Sequence, residues 1–155
     1  MRINQKFTII LAISLVLCLL ADFANARPRR WGGGSVDTRG EPLDEAKTYP
    51  REEALLKALN SEREKHGLAT LKLDRELLLQ TRQHCMWMAK TGRMVHSSNS
   101  GRENIAMGQE NIEEVVSAWM NSGGHRANIL SGSTITGVAS YEDENGRTYW
   151  CEQFK

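Results

Sequence analysis

Two histidines, one glutamate and a few serines and asparagines carry most of the reactive chemistry in this sequence. They fall in the run HSSNSGRENIAMGQENIEEVVSAWMNSGGHRANILS, which starts at His96 and ends at Ser131. A neutral imidazole is the commonest protein ligand for metals, and His96 and His125 can bind a divalent ion such as Zn²⁺ only if the fold joins them, since their separation in sequence shows nothing by itself. Glu103 adds a carboxylate. No H-E-x-x-H pattern occurs, so a zincin protease is not indicated. A structural zinc site wants four protein ligands. Only His96, His125 and Glu103 are on offer, so a bound ion would be loosely held and partly hydrated. For catalysis the candidates are the same three residues, with Ser97, Ser98 and Ser122 as neighbouring hydroxyls. Nothing orders them as a triad, and no G-x-S-x-G signature is present. Glu103 also has a structural reading, as a carboxylate accepting loop N–H groups, and Asn128 one as a tie for the segment after His125. His66 and His84 read as partly exposed structural residues on supporting helices.

The elements that must position these groups are legible from periodicity. Pro50 suits the first position of a helix running to about His66, with Ala54, Leu55, Ala58 and Leu59 as its apolar stripe. Residues 68–73 form a connecting segment. Asp74 caps a second helix that reaches about Thr91, where Leu77, Leu78, Thr81, Cys85, Met88 and Ala89 share the inward face. Met86, Trp87 and Met88 at this spacing are core packing rather than a cofactor box. Asn111 with Glu114 resembles a capping box for a short third helix that ends at Gly123-Gly124. Strands are expected over residues 103–108, 135–141 and 147–154. The last two are joined by Asn145-Gly146, a type I′ hairpin signal. Both faces of the final strand carry large side chains, which predicts a sheet covered on both sides. Such an order is α+β rather than parallel α/β.

The first 26 residues read as a signal peptide. Arg2 and Lys6 precede an apolar run over residues 7–21, and Ala24-Asn25-Ala26 supplies a cleavage site. That run is shorter than the ~20 residues a spanning helix needs, so no stable membrane insertion is expected after cleavage. Residues 27–48, with Gly32-Gly33-Gly34 and little apolar content, read as a flexible leader, and residues 49–155 as one domain. Cleavage removes Arg2, Lys6 and Asp22 from totals of 20 basic and 19 acidic residues, leaving 18 of each. A neutral mature chain argues against a nucleic-acid partner. Two cysteines remain after cleavage, Cys85 and Cys151. Export brings an even pair into oxidising conditions and predicts a disulfide between them.

The order and spacing of several segments resemble the CAP superfamily of cysteine-rich secretory proteins, antigen 5 and pathogenesis-related 1 proteins, in its short bacterial SCP-like form. They are Leu59-Asn60-Ser61-Glu62-Arg63, His96-Ser97, Glu103-Asn104-Ile105-Ala106, Trp119-Met120-Asn121-Ser122, His125-Arg126-Ala127-Asn128-Ile129-Leu130 and Tyr149-Trp150-Cys151. The resemblance implies a three-layer α–β–α sandwich around a small antiparallel sheet. It also implies a cleft lined by His96, Glu103, Ser122 and His125, with Ser122 standing where larger members carry a second glutamate. That substitution favours binding over hydrolysis. The expectation is therefore a secreted or periplasmic monomer that binds a small molecule, a lipid or sterol, or a cell-surface component. It requires no cofactor, though a divalent metal can join the cleft. A protease or cell-wall hydrolase using His–Glu chemistry is the alternative.

Overall fold

The computed structural model describes residues 47–98 and 101–155. The expected signal peptide, and the leader up to residue 46, lie outside the described residues. Helix α1 is Pro50–Lys65, with Tyr49 as N-cap; the Tyr49 N–H donates to Glu52 Oε2 at 2.9 Å. Its buried positions are Glu52, Leu55, Leu59 and Arg63. Ala54, expected in the stripe, is exposed, because the inward face runs from 52 to 63 through two charged residues that have partners. Strand β1 is Lys72–Leu73, helix α2 is Arg75–Thr91 and strand β2 is Arg102–Met107. Asp74 caps α2 by accepting from Leu77 N at 2.9 Å, and Gly92 closes it at φ 67°, a left-handed turn that suits glycine.

Helix α3 is Ile112–Asn121, capped by Asn111 accepting from Glu114 N at 2.9 Å. Gly123-Gly124 does not simply end it. These glycines open a further helix, α4, Gly123–Ile129, with Ser122 as the joint between the two. Strands β3, Ile135–Glu142, and β4, Thr148–Phe154, complete the chain. Their hairpin is longer than the expected type I′ turn. Asp143 Oδ1 accepts from the N–H groups of Asn145 and Arg147, both at 2.9 Å, and only Gly146 of this loop takes a positive φ, 75°. The Asp143 side chain thus organises the loop, where a type I′ turn would need Asn145 left-handed too.

The sheet order is β1-β3-β4-β2. β3–β4 and β4–β2 pair antiparallel, but β1 pairs parallel to β3, so the sheet is mixed rather than wholly antiparallel. All of β4 is buried, as its two large-residue faces predict. One face packs Trp150, Phe154, Val138 and Ala106 against Leu55 and Leu59 of α1, Val115, Val116 and Trp119 of α3, and Ile129 of α4. The other packs Ile105, Ala139, Tyr149 and Cys151 against Cys85, Met88 and Ala89 of α2. Burying an aliphatic or aromatic side chain contributes roughly 1.5–3 kcal/mol each, so these two layers carry the fold. α2 lies very close to the sheet. A Cβ added at Gly137 would stand 2.5 Å from Leu77 O and 2.5 Å from Thr81 Oγ1.

The Cys85–Cys151 disulfide expected from the sequence is not formed; both residues are buried free thiols. They share one layer, but each sulfur faces its own oxygen. Cys85 Sγ donates to Tyr149 O at 3.2 Å, and Cys151 Sγ lies 3.8 Å from Glu103 Oε2. Counting cysteines therefore locates the pair correctly and assigns it the wrong chemistry.

Candidate functional site

Glu103 stands at the second position of β2, which among the described residues is an edge strand paired with β4 alone. Alternation along the strand sends Glu103 and Ile105 toward α2, and Asn104 and Ala106 toward the opposite layer. The Glu103 side chain is almost fully buried, and its two oxygens have different neighbours. Oε1 accepts from His96 Nδ1 at 2.8 Å and from Ser97 N at 2.9 Å. Oε2 accepts from Gln153 Nε2 at 2.7 Å and lies 3.7 Å from His84 Nε2. Gln153 is opposite Glu103 in the β2–β4 register, and its Oε1 lies 3.1 Å from Thr81 Oγ1 on α2. Burial pushes the Glu103 carboxyl up. The hydrogen bonds from Gln153, Ser97 and His96, with the nearby His84 ring, more than offset this and hold it below the usual glutamate value. Glu103 is therefore a fixed anion.

His96 is held by one edge of its ring. Its side chain is 61% exposed, yet Nδ1 is tied to Glu103. The carboxylate accepts, so Nδ1 is the donor of this bond and Nε2 is the ring nitrogen left free of Glu103. His125 occupies the first turn of α4 and is half-buried. Burial first, and the charge of His96 second, lower its pKa, so it is a neutral imidazole at pH 7. The two rings that the sequence singles out thus lie within electrostatic reach of each other.

Asn104 fixes the backbone under His125. Fully buried, it donates from Nδ2 to His125 O at 3.1 Å and to Glu152 Oε2 at 3.3 Å. Asn128 Nδ2 reaches back to Asn104 Oδ1 at 3.0 Å and Glu103 O at 3.2 Å, the tie expected from the sequence. Together with Trp119 Nε1 on Ile105 O at 3.3 Å, this covers carbonyls along the β2 edge. Arg63 of α1 secures the segment beyond α4. Its guanidinium donates to the carbonyls of Ala69, Ile129, Ser131 and Ser133 at 2.7–3.0 Å. Ser122 is the N-cap of α4, and its side chain makes no cap bond. It stands just ahead of His125 in the chain, and it is not among the donors that hold Glu103.

His84 is the functional candidate that the sequence does not single out. It reads there as a partly exposed structural residue; its side chain is 13% exposed, and its Nε2 lies 3.7 Å from Glu103 Oε2. Its phase on α2, one residue before the inward Cys85, is the available signal. The same ring stacks on Trp87, centroids 5.9 Å apart.

Comparison with known proteins agrees with this architecture. The family model for CAP, the cysteine-rich secretory protein family, matches residues 56–154. The Bacillus subtilis protein YkwD is 35% identical over 121 residues, which cover 66% of this chain and 46% of YkwD. This chain thus spans about half the length of that relative. An outer surface protein of Borrelia burgdorferi superposes with a TM-score of 0.62 at 18% identity, covering 70% of this chain and 93% of that one. An extracellular SCP-domain protein of Bacillus anthracis gives a TM-score of 0.56 at 21% identity, covering 68% and 40%. The chain belongs to the CAP family, in the company of bacterial SCP-like proteins. Among the described residues no helix is long and apolar enough to cross a membrane.

Proposed function

We propose that this chain is an exported binding module, in which His96 and His125 hold a divalent ion that anchors the polar end of a ligand in the cleft beside β2. The observation that carries this reading is the 2.8 Å bond from His96 Nδ1 to Glu103 Oε1. Metal-binding imidazoles commonly donate their other N–H to a carboxylate, which fixes the tautomer and raises ligand basicity. Glu103 serves as that carboxylate; enclosed by donors on both oxygens, it positions His96 rather than acting as an acid or base. The exposed Met94 and Val95 immediately precede His96, and Trp87 is exposed on α2. Such apolar groups beside a polar anchor suit a lipid, sterol or amphipathic cell-surface component.

Calorimetric titration with Zn²⁺ tests the anchor. It is best done in the Cys151→Ser background, which removes the buried thiol as a ligand. Saturable binding is expected, with a loss of about tenfold or more in affinity on His96→Ala or His125→Ala. Unchanged affinity in the double variant would overturn the reading.

A further inference from the structure

Beneath the cleft lies a second set of donors. We infer that His84 Nε2, Glu103 Oε2 and Cys151 Sγ form a buried site for a thiophilic divalent cation such as Zn²⁺, separate from the surface pair His96 and His125. The three atoms lie within 4.8 Å of one another. His84 Nε2 is 3.7 Å from Glu103 Oε2, and Cys151 Sγ is 3.8 Å from the same oxygen. Zinc bonds of about 2.0–2.3 Å in a tetrahedron put neighbouring ligand atoms about 3.4–3.6 Å apart. The two separations to Glu103 Oε2 are therefore near those of a loaded site, the third lies within 4.8 Å, and contraction of the set would complete it.

A separate observation points to the same place. His84 Nε2 is a buried atom that makes no hydrogen bond. A buried polar atom without a partner costs about 1–3 kcal/mol, and here it faces a carboxylate at a distance too long for a hydrogen bond and suited to a shared cation. Charge also balances. One carboxylate and one thiolate neutralise a divalent ion, and imidazole adds a neutral third ligand. Loading replaces the Cys151 S–H bond with a metal–sulfur bond and releases the proton to solvent. His84 also lines a cavity of about 240 Å³, shared with Gln80, Gln83, Ser97 and Gln153, which supplies entry and room for a water as fourth ligand. The two sites share Glu103 through its two different oxygens, but the buried donors include neither His96 nor His125, so the two readings fail separately.

Co²⁺ under reducing, anaerobic conditions distinguishes the two sites, because only thiolate ligation gives a sulfur-to-cobalt charge-transfer band in the near ultraviolet. The band is expected in the parent protein and in Cys85→Ser and His125→Ala, and its loss is expected in Cys151→Ser and His84→Gln. Absence of the band in the parent, or its survival in Cys151→Ser, would overturn the inference. A second measurement uses the parent alone and so does not depend on how the variants fold. Zn²⁺ should slow alkylation of Cys151 about tenfold or more, by mass action on the protected state, and leave Cys85 little changed. Equal rates at Cys151 with and without Zn²⁺ would contradict it.

Discussion

Glu103 divides its carboxylate between two tasks, and its protonation should therefore be felt in the fold. Its pKa is held below the ordinary glutamate value in the folded protein. A group depressed on folding contributes stability above its unfolded pKa, and that contribution is lost as pH falls through the folded value. The metal-free protein should lose stability as pH drops below about 4.5, the ordinary value. Glu103→Gln should show a flatter acid limb, and at pH 7 it should be destabilised by about 1–3 kcal/mol through mispaired donors. Thermal melts across pH, read by circular dichroism, check both. At this scale the sequence is informative about identity and weak about partners. His96, Glu103 and His125 are recognisable because their motifs are local. His84 is not, because its approach to Glu103 depends on α2 packing across β3 and β4, a contact between residues far apart in the chain.

Arg63 shows how one side chain can hold an element in place. Its four carbonyl acceptors are Ala69 and, in the segment that leaves α4 and leads into β3, Ile129, Ser131 and Ser133. Lysine has no fork and cannot satisfy four carbonyls in this geometry. Arg63→Lys should cost about 1–3 kcal/mol, because at least one buried carbonyl is left without its donor. It should also speed amide hydrogen exchange around residues 129–133 before the sheet opens, and protection unchanged there would contradict the role given to Arg63. The helices are largely legible from the sequence, since Asp74, Asn111 and Pro50 signal their starts locally. α4 is not, because a Gly-Gly pair reads as a helix end and only the tertiary ties from Asn104 and Asn128 make it a beginning. The two-residue β1 has no periodicity to read; it exists because it pairs with β3.

For the whole molecule, the two-sided sheet means that stability rests on two apolar layers rather than on a covalent link. Cys85 and Cys151 lie inside one of these layers as thiols. A reducing agent should therefore leave the melting temperature unchanged; a drop of several degrees on adding dithiothreitol would show a bond that the structure lacks. The same layering places the candidate site where the β2 edge meets the start of α4, with an inward set of donors under an outward pair. The α+β class follows from element order and the two buried faces of β4. The free thiols do not follow, because cysteine count and compartment say nothing about which oxygen each sulfur meets.

The central claim is that His96 and His125 act together as ligands at the protein surface. Histidine ring NMR of the full domain during Zn²⁺ titration tests it most directly, since each ring reports separately. Below about pH 6 protonation of ordinary imidazole competes with metal, whereas His125, with its lowered pKa, stays available further into that range. At pH 7 the His96 and His125 ring signals should shift together and saturate at the same Zn²⁺ concentration, while exposed His66 stays in place. Saturable zinc binding that leaves both of those signals unmoved would contradict the claim.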